Sequence, residues 1–313
     1  MQKRTSLMAV VFALVVLLVG TSSVFAQVQV TDCMDCHNDT TVITGKKTGW
    51  SESMHGTGEA FGRGTGAGCA GCHSGGAFSD MVAAGLTPDT VEVGDPEPTR
   101  QSCRACHQVH TSYTVADWAL ETTDPVALYA LEGVIYDSGK GNLCVNCHQP
   151  RRAIAEADPN GIIRVTSTHW GPHHGPQSTM LLGLAGAGDV KGNPSAHAMM
   201  VGDTCVTCHI GQDDSHTFEP VVSACVVCHS DAEDFDINGV QTEVEALIAQ
   251  VGDLLVAKGL LDEEGHPVVG DYTAAEASAL WNYILISIED GSLGTHNAPY
   301  TKALLKVSIE ALQ

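Results

Sequence analysis

Cys205-Val206-Thr207-Cys208-His209 and Cys225-Val226-Val227-Cys228-His229 decide how this 313-residue chain folds, because the pattern they share is written six times. The other copies are Cys33/Cys36/His37, Cys69/Cys72/His73, Cys103/Cys106/His107 and Cys144/Cys147/His148. On a helical turn, residues i, i+3 and i+4 share a face. Two thiols can therefore form thioether bonds to a porphyrin's vinyl groups while the adjacent imidazole reaches the iron, and C-x-x-C-H is the attachment pattern for haem c. Six copies use all 12 cysteines, leaving no thiol for a disulfide, a zinc site or a nucleophile. Zinc ribbons and disulfide frameworks also pair cysteines, but neither requires a histidine after every second one. The expected cofactor is six covalently bound haem c groups, with the motif histidines as iron ligands.

The chain opens with Lys3 and Arg4, an uncharged apolar run from Leu7 to Val19, and Val24-Phe25-Ala26. This reads as a secretory signal over residues 1–26, cut after Ala26. The run is shorter than the ~20 residues a membrane span needs, and no later segment is apolar enough to span; an uncleaved anchor is the alternative. Export to the periplasm or the extracellular space also suits the cysteines. Without Lys3 and Arg4 the chain keeps 13 basic residues against 37 acidic ones. Such an acidic surface argues against nucleic acid and anionic membranes as partners and favours basic redox proteins or plain solvation. Aromatic residues make up only 5% of the chain, a thin supply for a protein core, and six porphyrins would add the missing apolar surface.

Residues 27–235 show little sustained periodicity. Glycine- and proline-containing connectors, such as Gly62 to Gly76, Gly94-Asp95-Pro96-Glu97-Pro98 and Gly183 to Gly192, separate the motifs. Short helices are expected at each motif, with loops packed on porphyrin, and the two motifs nearest in sequence, the last two, are expected to hold neighbouring haems. Residues 236–313 read as amphipathic helices packed on the haem region, a dimer interface being the alternative use of their apolar faces. Thr242-Glu243-Val244-Glu245 has a capping-box pattern, followed by Val244, Leu247, Ile248, Val251, Leu254 and Leu255 on one face up to Gly259. Thr273-Ala274-Ala275-Glu276 repeats it, with Ala277, Leu280, Trp281, Ile284, Leu285 and Ile288 on one face and Gly291 as the C-terminal cap. A third helix is expected from Asn297, with Pro299 in its first turn. The fold class expected is mainly α with extensive irregular loops, nucleated by haem, with a C-terminal helical tail.

Histidine decides the mechanism. Six of 15 histidines lie in the motifs, leaving His55, His110, His169, His173, His174, His197, His216, His266 and His296. A haem iron is closed by two axial ligands. The expected distal set is His55, His110, His173, His197, His216 and His296, with His169 and His174 as substitutes for His173. His266, beside Pro267 in an acidic loop, is expected to be solvated. Methionine is the competing ligand, from Met54, Met180, Met199 or Met200, although Met more often fills gaps in a core. Arg100, Arg104, Arg151, Arg152 and Arg164 could serve a substrate, but arginines near haem more often pair with propionates.

The six motifs make the chain resemble the multihaem c-type cytochromes. Residues 140–313 further resemble the lineage of cytochrome c nitrite reductase and its octahaem relatives. That likeness rests on Gly171-Pro172-His173-His174-Gly175-Pro176-Gln177, on the segment from Ser195-Ala196-His197 to His209, on Trp281-Asn282-Tyr283 and on His296-Asn297-Ala298-Pro299-Tyr300. The resemblance implies closely packed haems with distal histidines at positions like His173, His197 and His296. The nitrite reductases usually carry a catalytic haem whose motif ends in lysine, whereas all six motifs here end in histidine. The function expected is an exported hexahaem electron relay in anaerobic respiration, exchanging electrons with donor and acceptor cytochromes or quinol-oxidising complexes. The alternatives are a reductase of nitrite, hydroxylamine or a sulfur oxyanion with one open haem, and a subunit of an extracellular cytochrome filament.

Overall fold

The computed structural model describes residues 37, 41–173, 175–211 and 215–313. The signal segment, Cys33, Cys36 and His174 lie outside the described residues. The fold is mainly α-helical, with long irregular connections and two antiparallel two-stranded sheets: β1 (Val126–Ala127) with β2 (Ile135–Tyr136), and β3 (Ile162–Val165) with β4 (Gly270–Thr273).

Helices of one or two turns carry the described motifs: Ala67–His73, Cys103–Cys106, Gly141–Val145, Cys205–His209 and Val222–Cys225. Helices this short are not stable alone in water, so their geometry depends on what they pack against. The protein cores around them are small. One joins Phe78, Met81, Ala105 and Leu143, and another joins Val126, Leu128, Tyr136, Val145 and Leu181.

Among the described residues, the tail forms the one large core. Val244, Val251, Leu255, Ala277, Leu280, Trp281, Leu285, Leu304 and Leu305 are buried together with Ile163 and Val165 of β3 and with Trp170, Met180 and Ala187. The tail helices therefore fold into one body with the segment between the fourth and fifth motifs. Trp170 meets Trp281 edge-on at 5.2 Å. Buried Asn282 accepts from Ala187 N at 2.8 Å and donates to Ala187 O at 3.1 Å, while Asn297 Nδ2 donates to Met180 O and Asn193 O. These bonds clamp the 183–192 connector onto the tail. Gly186 is required there, since a Cβ would lie 2.4 Å from Leu304 Cδ2 and 2.6 Å from Tyr300 Oη.

The capping box at Thr273 and Glu276, the cap by Gly291 in the left-handed region, and the N-terminal cap by Asn297 follow the sequence. Two features differ. The first tail helix starts at Val240, and Asp236 caps it: its carboxylate accepts from Gln241 N at 2.7 Å, Thr242 N at 3.1 Å and Thr242 Oγ1 at 2.6 Å. A carboxylate at a helix N-terminus out-competes the threonine hydroxyl, so Thr242 donates instead of capping. Second, Ile284–Asp290 is π-helical. The wider i to i+5 turn rotates later residues off the apolar face, and Ile288 stands exposed while Ile284, Leu285 and Ile286 stay buried.

Candidate functional site

The fold sets each of the six attachment histidines opposite one other histidine. His37 faces His110 with ring centroids 5.9 Å apart, His73 faces His173 at 6.3 Å, and His107 faces His216 at 6.2 Å. His148 faces His55 at 6.2 Å, His209 faces His296 at 6.4 Å, and His229 faces His197 at 6.4 Å. The second members are the six histidines singled out as distal candidates. A metal held by two imidazole nitrogens at about 2 Å each, with each ring centre about 1.1 Å behind its nitrogen, sets the centroids about 6.2–6.4 Å apart. Five of the six spacings fit an iron between the rings, and the His37–His110 pair is slightly tighter at 5.9 Å.

The pairing is long-range. His55 lies in the Met54–Thr57 turn, capped by Ser53, and its ring meets that of His148 in the fourth motif. His197, in the Ala196–Met200 helix before the fifth motif, turns to the sixth. His110 and His173 hold left-handed backbone, with φ of 66° and 72°, a conformation that costs about 1–3 kcal/mol and persists only where its surroundings fix it.

Several rings are fixed at Nδ1. His107 Nδ1 lies 2.8 Å from Trp118 O, His197 Nδ1 2.8 Å from Thr295 O, and His209 Nδ1 2.9 Å from Phe218 O. A carbonyl only accepts, so Nδ1 carries the hydrogen and Nε2 is left as the base, the tautomer an iron requires. His148 Nδ1 faces Gln177 Oε1 at 3.2 Å, and His296 Nδ1 faces Asp290 Oδ1 at 2.6 Å. Their role as acceptors was not read from the sequence: Gln177 only closes the Gly171–Gln177 stretch, and Asp290 precedes the Gly291 cap. Burial, and then the neighbouring His148, pull His55 down to about 4. Burial likewise lowers His148 and His209. Iron takes neutral imidazoles, and these are held neutral near pH 7.

Among the described residues, no two of the ten cysteines are joined in a disulfide. Neighbouring motifs sit back to back: Cys72 Sγ lies 3.9 Å from Asn146 O, Cys147 Sγ lies 4.0 Å from Gly71 O, and Gly141, at the start of the fourth motif's helix, lies against Cys205. The fourth motif thus lies between the second and the fifth. The Cys205–His209 and Val222–Cys225 helices also pack against each other, so the last two motifs adjoin as well.

The remaining candidates lie elsewhere. His169 is exposed beside Thr168, and His266 pairs with Asp262 at 3.5 Å. Met180 is fully buried in the tail core, while Met54, Met199 and Met200 are exposed. Arg100 pairs with Glu59, Arg104 with Asp80 and Arg164 with Asp271. Arg151 Nη1 lies 3.8 Å from Cys69 Sγ, and Arg152 is exposed.

No family model matches the chain. In sequence it is similar to the C-type polyheme cytochrome OmcB of two Geobacter sulfurreducens strains, 24% identical in an alignment of 235 residues that covers 56% of this chain and 31% of the relative. In fold it resembles the outer cell wall cytochrome OcwA, with a TM-score of 0.56 and 22% identity over 86% of this chain and 50% of that one. The chain thus spans about a third of the curated relatives' length and half of the solved one. Among the described residues no helix is long and apolar enough to cross a membrane.

Proposed function

We propose that this chain, a multihaem c-type cytochrome by its motifs and fold, is an exported hexahaem protein that relays electrons through six bis-histidine haems in anaerobic respiration. The observation that supports it is the pairing of every attachment histidine with a second imidazole at 5.9–6.4 Å. Each haem, when bound, supplies a one-electron couple. The chain's residues do the rest. Paired cysteines would fix each porphyrin, the paired imidazoles would keep coordination alike in the two oxidation states, and the Nδ1 acceptors hold the rings in place. Similar ligation before and after transfer would keep rearrangement small, and back-to-back motifs would keep neighbouring cofactors close.

A reductase must keep one iron position free and aim polar groups at it. Here each attachment histidine has an imidazole opposite, and Arg100, Arg104 and Arg164 are engaged by carboxylates. The test is to reduce the purified holoprotein with a low-potential dye and offer nitrite, hydroxylamine and tetrathionate in turn. The relay reading expects no sustained turnover. Multi-turnover dye oxidation that cyanide or carbon monoxide abolishes would overturn it.

A further inference from the structure

We propose that Asp290 is a positioning residue that sets a low reduction potential on the haem held at Cys205 and Cys208, by accepting the Nδ1 hydrogen of His296 in a charged hydrogen bond. The inference rests on reading His296 as that haem's second ligand.

The Asp290 side chain is fully buried, and its Oδ1 lies 2.6 Å from His296 Nδ1. Its other oxygen accepts from Ser292 Oγ at 2.5 Å and from Ser292 N at 3.4 Å. The carboxylate is therefore oriented from both sides. His107, His148, His197 and His209 instead set Nδ1 against neutral oxygens of Trp118, Gln177, Thr295 and Phe218. A carboxylate draws the Nδ1 hydrogen more strongly than an amide does and loads negative charge onto the ring. A more basic imidazole stabilises the ferric state more than the ferrous one, and the buried negative charge acts in the same direction. Both effects lower the potential.

The π-helical turn that carries Asp290 also reaches the neighbouring motif. Glu289 O accepts from Gln177 Nε2 at 2.8 Å, and Gln177 Oε1 faces Nδ1 of His148. The two motifs adjoin, with Gly141 at the start of the fourth motif's helix packed against Cys205. One turn thus serves two adjacent haems unequally, one through a charge and one through an amide.

The test uses the holoprotein and two variants in a potentiometric titration followed optically and by electron paramagnetic resonance. Asp290→Asn keeps the shape and removes the charge. It is expected to move one component to higher potential by roughly a tenfold change in its reduction equilibrium, about 59 mV for one electron, leaving the others in place. Ser292→Ala removes a donor from the carboxylate, leaves more charge for His296, and is expected to move the same component lower. Unmoved potentials in Asp290→Asn, or shifts of the same sign in both variants, would overturn the inference. If Asp290→Asn does not accumulate with its haems, Ser292→Ala decides alone, and no downward shift there overturns it. His296→Ala separates the two readings. A spectrum that stays wholly low-spin removes His296 as a ligand, whereas a new high-spin haem beside unmoved potentials in the other variants defeats the Asp290 inference alone.

Discussion

The ring of Phe218 meets the imidazole of His55 edge-on, with centroids 4.6 Å apart and planes at 83°. The same ring lies 6.0 Å from that of His216, and the Phe218 carbonyl accepts from His209 Nδ1. One residue therefore touches imidazoles belonging to three different pairs. Its backbone holds a φ of 62°, in a region that L residues enter only when neighbours fix it. Phe218 is a packing hub between the haem sites.

Replacing Phe218 with Ala strips the packing from His55 and His216 but keeps the carbonyl that holds His209. The ring is half-buried, so the expected loss is about 1–3 kcal/mol, below the ~3–5 of a fully buried phenylalanine. Thermal unfolding of the holoprotein measures this. The low-spin spectrum at room temperature should not change.

Single replacements of the distal set sort ligands from bystanders. His173→Ala, His197→Ala and His216→Ala should each convert about one haem in six to high spin, because each removes one of two axial ligands. His169→Ala and His266→Ala should convert none. An unchanged spectrum in any of the first three removes that residue from the set.

The tail core makes a prediction that leaves the iron untouched. Asn282→Ala orphans the buried N–H and C=O of Ala187, at an expected cost of about 2–4 kcal/mol. Denaturant unfolding should show the loss, while spin state and haem content stay as in the parent protein.

Removing haem should divide the chain unequally. Protein made without haem-maturation machinery keeps the tail core around Leu280, Trp281 and Leu304 but loses the porphyrin surface that the two small clusters depend on. Limited proteolysis should cut within residues 41–150 and spare β3 together with the helices beyond residue 240. Uniform protection along the chain would contradict this.

Much of this was legible in the sequence because the chemistry is local. C-x-x-C-H needs one helical turn, and the short motif helices follow from it. The distal candidates were narrowed by counting histidines against irons. Which candidate meets which motif was not legible, since His55 reaches His148 and His197 reaches His229 through tertiary packing. The same applies to the β3–β4 pair and to the Nδ1 acceptors Gln177, Asp290, Thr295 and Phe218, which a periodicity cannot mark. The tail helices were read from their apolar stripes. The exposed Ile288 and the cap by Asp236 were misread, because a π-turn and a carboxylate two residues before Asn238 override the simple pattern.

Six haems, each closed by two histidines, fix both the mass and the spin state of the holoprotein. Intact mass of the mature holoprotein, taken together with the electron paramagnetic resonance spectrum of its fully oxidised form, reads both. A mass increment of six haems and low-spin signals alone are expected. A smaller increment, or a high-spin ferric signal amounting to about one haem in six, would contradict this.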